Sequence, residues 1–217
     1  MKPYFVKTPS LVPVVFRNQI WSFSAKKKDI YLTFDDGPTP EITNWVLDTL
    51  KQYNAKATFF CIGKNIEKHP EIFQNILNHK HAIGNHTYTH LNGWKSDTKD
   101  YLNSILKTEK LLINSKSLIQ NPKLFRPPYG KIKPSQVKML LKNNYKIVMW
   151  SVLSGDFDTT ITTENCLNNV IKNTGNGSII VFHDSLKAFD KVQVVLPKIL
   201  DYFSKKGYVF SLPFRKG

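Results

Sequence analysis

The chain of 217 residues has the length of one large domain or at most two small ones. Hydrophobic residues make up 41% of it, including 14 Phe, 9 Tyr and 4 Trp, so a core can form and a disordered protein is excluded. The net charge of +15 favours polyanions, but the lysines are scattered as on a solvated surface and match no nucleic-acid-binding module. We expect an anionic surface as a partner and no specific nucleic acid.

Residues 1–28 contain an apolar run at 11–16 that includes Pro13 and ends at Arg17. A secretory signal needs an apolar stretch of about 7–15 residues and a cleavage site of small residues, and neither is visible here. A transmembrane helix needs about 18 apolar residues, and no segment approaches this length. We interpret residues 1–28 as an extension that packs on the main domain or on a membrane surface. The expected location is cytoplasmic or peripheral to the membrane.

From residue 29 onward, short apolar runs alternate with segments whose apolar residues recur at helical spacing. This alternation, without internal sequence repeats, predicts an α/β fold with about seven parallel strands in a single domain. The predicted strands are 30–34, 57–63, 81–86, 124–130, 146–152, 178–184 and 208–210, and the predicted helices are 40–54, 65–80, 97–115, 134–141 and 192–207.

Polar or ionisable side chains follow most of the predicted strands directly. An open sheet would spread them along one edge, whereas in a barrel the carboxyl ends of the strands converge on one face. This placement favours a (β/α) barrel with its site at that face. The residues concerned are Asp35, Asp36, His86, Arg126, Asp156 and His183.

The segment HTYTH places His86 and His90 four residues apart, on the same side of an expected helical turn. Two imidazoles and one carboxylate are a common catalytic metal site with open positions, and Asp36 is the natural third ligand. Asp35 can then stay off the metal and act as general base toward metal-bound water. Because the metal supplies positive charge, both carboxylates can remain ionised. The other histidines of this region are interpreted as surface or structural: His69, His79 and His81.

Five motifs in series resemble those of the polysaccharide deacetylases, the NodB homology family or carbohydrate esterase family four. The resemblance covers about residues 29 to 212, so residues 29–217 would form a polysaccharide deacetylase-like catalytic domain. It implies a distorted (β/α) barrel that hydrolyses acetyl groups on sugars with a divalent metal. The motifs are TFDDGP (33–38), HTYTH (86–90), RPPYG (126–130), WSVLSGDFD (150–158) and VFHD (181–184).

The resemblance also assigns roles to single residues. It implies that Asp35 is the catalytic base and that Asp36, His86 and His90 are metal ligands. Zinc is the expected metal from the ligand types, although cobalt and nickel also suit two imidazoles and a carboxylate. By the same resemblance, Arg126 holds Asp35 in place through charge-assisted hydrogen bonds.

The remaining catalytic roles belong to three residues later in the chain. The resemblance implies that the backbone N–H of Tyr129 stabilises the oxyanion and that His183 protonates the leaving amine. Asp156 would orient His183 and raise its pKa.

The expected substrate contacts come from Pro127, Tyr129, Phe157 and Val181. The chain departs from the family pattern in this region. Leu153 stands where the family usually has Asp, Phe157 replaces an aromatic that is usually Trp, and Val181 replaces the usual Leu. These changes alter the wall of the acetyl pocket and leave the proposed partner of His183 in place.

The sequence therefore predicts a metal-dependent hydrolase that removes N-acetyl groups from amino sugars of the peptidoglycan or chitooligosaccharide type. An alternative is an esterase or another amide hydrolase on the same scaffold, for example one acting on O-acetyl xylan. A second alternative is a non-catalytic carbohydrate binder. Such a binder would be expected to lose one of the five catalytic or ligand residues, and the sequence keeps them all: Asp35, Asp36, His86, His90 and His183.

Overall fold

A computed structural model describes residues 4–114 and 123–214. Residue 115, the last of the predicted helix 97–115, lies outside these ranges. So do residues 1–3 of the predicted extension 1–28 and residues 215–217 of the predicted domain 29–217. The strands are β1 Gln19–Ile20, β2 Asp29–Asp35, β3 Ala57–Cys61, β4 Ala82–Asn85, β5 Lys123–Phe125, β6 Tyr145–Val148, β7 Val152–Leu153, β8 Ile179–His183 and β9 Val209–Phe210. The helices are α1 Leu11–Val15, α2 Ile42–Gln52, α3 Gly63–Lys68, α4 Pro70–Asn78, α5 Thr98–Asn114, α6 Pro134–Lys142, α7 Thr163–Asn173 and α8 Leu186–Lys205.

The strands form one parallel sheet in the order β1-β6-β5-β4-β3-β2-β8-β7, with β9 paired to the start of β2. The sheet curls into a half-barrel covered by helices, which confirms the predicted α/β barrel class. Its central strands are continuous apolar runs, because both of their faces are buried. Phe34 of β2 stacks on Phe59 of β3 and on Phe182 of β8, with ring centroids 5.2 and 6.0 Å apart. The register of these three strands is therefore fixed by aromatic packing in the core.

Residues 4–23 run along both edges of the sheet. β1 lies parallel to β6 at one edge. At the other edge, Lys7 pairs with Val152 of β7 in the antiparallel sense, and Ser22 makes a second antiparallel bridge with Ser178. This early segment thus contacts the strands that a closed barrel would join. The division of the chain between residues 28 and 29 stays a prediction.

One helix was not predicted from the sequence, and another was predicted too short. α7 was not predicted, because only Cys166 and Val170 are buried among its eleven residues and the apolar period is weak. Its first turn is instead marked by Thr162, whose side chain accepts a hydrogen bond from the backbone of Asn165. α8 begins at Leu186 and not at residue 192; of the first four residues only Ala188 is buried, so the apolar residues of this turn do not form a clear buried face.

Candidate active site

The predicted site residues converge at the carboxyl ends of the parallel strands. Asp35 and His183 are the last residues of the neighbouring strands β2 and β8, where they are register partners. His86 follows β4 directly, and Arg126 follows β5. The strand ends therefore bring together side chains that lie far apart in sequence, as the barrel hypothesis required.

A buried ion pair joins Asp35 to Arg126. Arg126 is completely buried, and its Nη1 lies 2.7 Å from Oδ1 of Asp35. The same nitrogen donates to the Thr33 hydroxyl at 2.7 Å. Nε and Nη2 donate to the backbone carbonyls of Val148 and Met149 at 3.0 and 2.9 Å.

Four hydrogen bonds thus satisfy a guanidinium that would otherwise be costly to bury. Burial lowers the pKa of Arg126, and the charge and hydrogen bond of Asp35 counteract this effect. The arrangement holds the carboxylate of Asp35 in one orientation. The role of Thr33 had no signal in the sequence, because it depends on the register of β2 with β8 and on the reach of Arg126.

The turn after β2 is held in place by Asp184, a residue to which the sequence analysis assigned no role. The backbone N–H of Asp184 donates to the carbonyl of Asp35 at 3.1 Å. Its carboxylate accepts from the backbone N–H of Gly37 at 3.0 Å and from the Thr43 hydroxyl at 2.5 Å. A Cβ at Gly37 would lie 2.0 Å from Oδ2 of Asp184, so only glycine permits this approach. Asp36, between the two fixed points, adopts a φ of 84°.

Asp36, His86 and His90 form a group whose ligand atoms lie within 4.8 Å of one another. Oδ1 of Asp36 lies 3.8 Å from Nε2 of His86 and 3.3 Å from Nε2 of His90. Two ligands of a tetrahedral zinc, each about 2.0–2.1 Å from the ion, lie about 3.4 Å apart. Oδ1 of Asp36 is also buried without a hydrogen-bond donor among the described residues. Such an orphaned acceptor facing two imidazoles fits a divalent cation.

In both histidines, Nδ1 contacts another residue, so Nε2 is the nitrogen that faces Asp36. Nδ1 of His86 lies 2.8 Å from the carbonyl of Arg126, which can only accept, so Nδ1 carries the proton and Nε2 keeps its lone pair. Burial and the neighbouring His90 lower the pKa of His86 to about 3, and burial also lowers the pKa of His90. Nδ1 of His90 lies 3.1 Å from the hydroxyl of Tyr129. Both imidazoles are therefore neutral near pH 7 and able to bind a cation.

The prediction of a helical turn for HTYTH was wrong. Thr87 and His90 have φ values of 63° and 58°, so the segment is an irregular loop. The backbone N–H of Thr87 donates to the side chain of Asn85, and the Thr87 hydroxyl accepts from the backbone of Leu91. These bonds inside the loop replace helical ones. The two imidazole rings still meet, with centroids 5.0 Å apart.

On the opposite side of Asp35, His183 pairs with the completely buried Asp156. Nδ1 of His183 lies 2.8 Å from Oδ1 of Asp156, and its backbone N–H donates to Oδ2 at 2.6 Å. Burial alone would lower the pKa of His183. The charge and hydrogen bond of Asp156, with the charges of Asp36 and Asp35, outweigh burial and raise this pKa to about 10. His183 is thus an imidazolium at neutral pH, in the state that a proton donor requires.

A groove of about 500 Å³ opens beside these groups. Among the predicted residues, Asp36, His90 and Phe157 line it. Tyr129 is 61% exposed and reaches the site through His90, whereas Val181 is 1% exposed inside β8. Pro127, another predicted substrate contact, is buried. Sequence reasoning missed most of the lining: Pro38, Thr39, Pro40, Ile62, Asn65, His69, Ser185, Leu186 and Lys187.

The histidines interpreted as surface or structural differ in their placement. His69 is half-buried and lies on the wall of the groove. His81 accepts a hydrogen bond from the backbone of Ala57 at 3.2 Å, and burial lowers its pKa to about 3. His79 bonds the carbonyl of Asn75 at 2.9 Å. A contact with the end of α4 thus accounts for His79, and a hydrogen bond from β3 accounts for His81.

Residues 23–148 match the family model of the polysaccharide deacetylases, described as "Polysaccharide deacetylase". The chain belongs to the polysaccharide deacetylase family. It is 42% identical over 189 residues to a peptidoglycan-N-acetylglucosamine deacetylase of Bacillus cereus, covering 86% of this chain and 68% of that protein. It is 34% identical over 160 residues to a chitooligosaccharide deacetylase of Azorhizobium caulinodans, covering 73% and 74%.

A solved structure shows the same fold over nearly the whole chain. It is a crystal structure of a peptidoglycan N-acetylglucosamine deacetylase in complex with 4-naphthalen-1-yl-N-oxidanyl-benzamide. The TM-score is 0.85 at 39% identity, and the match covers 94% of each chain. The half-barrel is therefore the fold of this deacetylase family.

Proposed function

We propose that the protein is a metal-dependent deacetylase that removes N-acetyl groups from amino sugars of the peptidoglycan or chitooligosaccharide type. The observation that carries this proposal is that two groups of side chains lie close together at the carboxyl ends of the parallel strands. The Asp36, His86 and His90 group could hold a cation, with the buried Asp35 next to it. The pair of His183 and Asp156 lies across β2 from the group. The activities named for the relatives support the substrate class.

A divalent cation would be held by one carboxylate oxygen of Asp36 and by Nε2 of His86 and His90. This mixed donor set favours zinc, with cobalt and nickel as alternatives. Such an ion, when bound, supplies Lewis acidity to the acetyl carbonyl and lowers the pKa of a water in its coordination shell. A cation would also give Oδ1 of Asp36 the partner that it lacks among the described residues.

Asp35 would be the general base that accepts the proton of the attacking water. Its Oδ1 accepts a hydrogen bond from Arg126 at 2.7 Å, which fixes the orientation of the carboxylate. Arg126 itself is buried, so its part is to position Asp35 and not to contact the sugar. A base held in this way loses little orientational freedom when the substrate binds.

His183 would be the general acid. After water attacks the acetyl carbon, the C–N bond breaks, and the leaving nitrogen takes a proton from His183. Asp156 holds Nδ1, so Nε2 is the nitrogen that donates. The backbone N–H of Tyr129, at a residue with a φ of 59°, would stabilise the oxyanion. The groove wall at Phe157 would contact the substrate. Contacts of the substrate with the buried Pro127 and Val181 stay predictions.

The intact acid favours an amide over an ester as substrate. An amine leaves only with a proton, whereas many alkoxides need less help. Ester hydrolysis, for example of O-acetyl xylan, is therefore the second candidate for the same site.

Among the described residues, no helix is long and apolar enough to span a membrane. Binding to an anionic surface, a cytoplasmic or membrane-peripheral location, and the domain division at residue 28 stay predictions.

The test is acetate release from a panel of substrates: chitooligosaccharides, peptidoglycan fragments and O-acetyl xylan. Each is assayed with the protein as isolated, after chelation, and after addition of zinc, cobalt or nickel. Asp35→Asn serves as the matched inactive control, since it keeps the size of the side chain and the three proposed ligands. We expect release from the N-acetylated sugars that is lost on chelation and restored by metal. Release from xylan alone, or release that chelation leaves unchanged, would contradict the proposal.

A further inference from the structure

Residues 6–8 form an antiparallel neighbour of the chain just before the Asp156 loop. The backbone N–H of Leu153 donates to the carbonyl of Val6 at 2.8 Å. The backbone N–H of Thr8 donates to the carbonyl of Ser151 at 2.9 Å, and its hydroxyl donates to the carbonyl of Trp150 at 2.7 Å. The segment is therefore fixed along β7, outside the range matched by the family model.

Tyr4, at the start of this segment, reaches the loop that follows β7. Its hydroxyl donates to Oδ2 of Asp158 at 2.7 Å, and its ring lies on Phe157 with centroids 5.3 Å apart. A Cβ added to Gly155, whose φ is 79°, would lie 3.1 Å from the Tyr4 oxygen. Tyr4 therefore packs against three residues of the loop. Burial and the hydrogen bond to Asp158 raise the pKa of Tyr4, so it remains a protonated donor.

The same loop residues contact the proposed acid from the other side. The ring of Phe157 meets the ring of His183 edge-on, with centroids 5.2 Å apart. The backbone N–H of Phe157 donates to Oδ1 of Asp156 at 2.9 Å, the oxygen that also bonds Nδ1 of His183. A shift of Phe157 would therefore disturb both contacts of the imidazole at once.

We propose that Tyr4 is a positioning residue for proton donation, acting on His183 through Phe157 and Asp156. It touches neither the substrate groove nor the proposed metal ligands in any described contact. Its hydrogen bond fixes Asp158 on the outer side of the loop, and its ring backs Phe157 where Phe157 walls the groove. This inference rests on the proposed function, since it assigns a support to the acid of that reaction. It also gives Asp158 the function of anchoring Tyr4.

The test compares Tyr4→Phe, Tyr4→Ala and the control Phe5→Ala, whose side chain is the adjacent aromatic and is 70% exposed. Each is assayed on a chitooligosaccharide and on 4-nitrophenyl acetate, whose leaving group needs no proton. We expect Tyr4→Ala to lower kcat on the amide about tenfold or more, because small misplacements of catalytic groups are costly. Tyr4→Phe keeps the ring and should lose roughly two- to fivefold, as for one hydrogen bond. KM, kcat on the ester, and all parameters of Phe5→Ala should change less than twofold.

Equal losses on amide and ester would reduce Tyr4 to a merely structural role and overturn the proposal. A second readout does not require activity: residue-resolved hydrogen exchange of the backbone N–H groups of Phe157 and His183, both of which donate to Asp156. Tyr4→Phe should speed their exchange while Phe5→Ala leaves it unchanged. Unchanged exchange would refute the positioning role even if the wild-type protein released no acetate, and that latter result would count only against the proposed function.

Discussion

The two sides of the site are built in different ways. The metal side is Asp35, Asp36, His86, His90 and Arg126, and the acid side is Asp156, Phe157 and His183. On the metal side, the guanidinium of Arg126 ties Asp35 to carbonyls at the end of β6, and the Asp184 carboxylate fastens the turn at Gly37. On the acid side, His183 depends on a loop that residues from the start of the chain support. The difference indicates that residues at the start of the chain can influence the acid side, whereas the metal side is held by its own buried contacts.

The largest effects are expected when the two neighbouring carboxylates, Asp35 and Asp36, are substituted one at a time. Asp36→Asn removes the only negative donor of the proposed ligand set, so metal content should fall to near zero and acetate release to background. Asp35→Asn should keep the metal and lose activity by roughly 10²–10⁴-fold, as for a general base. Metal content by mass spectrometry and acetate release by a coupled assay give the two readouts. Full metal content in Asp36→Asn would assign the site to other ligands.

On the acid side, the next largest effect is expected from His183→Gln. Glutamine can still accept and donate hydrogen bonds but cannot protonate an amine, so kcat on an N-acetylated sugar should fall roughly 10²–10⁴-fold. Hydrolysis of 4-nitrophenyl acetate should fall far less. The quantity to measure is the ratio of the two losses. A ratio near one would remove His183 from the role of general acid.

The packing of Asp184 against Gly37 predicts a smaller effect, on stability. A Cβ in Gly37→Ala would overlap the Asp184 carboxylate, so the free energy of unfolding should fall by roughly 1–3 kcal/mol. The matched control is Gly175→Ala, where no heavy atom lies within 4 Å of the new Cβ. That variant should stay within about 0.5 kcal/mol of the wild type. Urea unfolding of the metal-free proteins measures both. Equal stability of the two variants would mean that the Asp184 carboxylate can move away from the new Cβ without lowering the free energy of unfolding.

The last prediction is a pH dependence of stability that comes from the imidazolium of His183. The pKa of His183 is raised to about 10 from an ordinary value of 6.5. Between these two pH values, the folded state therefore keeps a proton that the unfolded state has released. The stabilisation is complete below pH 6.5 and is lost as the pH rises toward 10, by up to ~1.4 kcal/mol per pH unit. The difference in unfolding free energy between wild type and His183→Gln, followed from pH 6 to 10, should shrink in this window. A constant difference would show that Asp156 does not hold the imidazolium.

Sequence patterns predicted the catalytic face, because several of the reactive residues lie at the end of an apolar run that indicates a buried strand. Asp35, Asp36 and His86 are examples, and the barrel then placed them together. The supports were not predictable in the same way. Thr33 and Asp184 act through contacts set by strand register, and a single sequence does not reveal register. Tyr4 lies before the first predicted strand, where no period points to a partner.

The hydroxyl of Tyr4 and its acceptor on Asp158 are 154 positions apart along the chain. When the ribosome has made residues 4–8, the strand beside which they will lie, β7, has not yet been synthesised. Contacts between residues so far apart in sequence require the entropic cost of loop closure before they stabilise the fold, and they slow folding. The half of the cleft that contains His183 should therefore be the last to order, late in synthesis, after the Arg126 half has already closed.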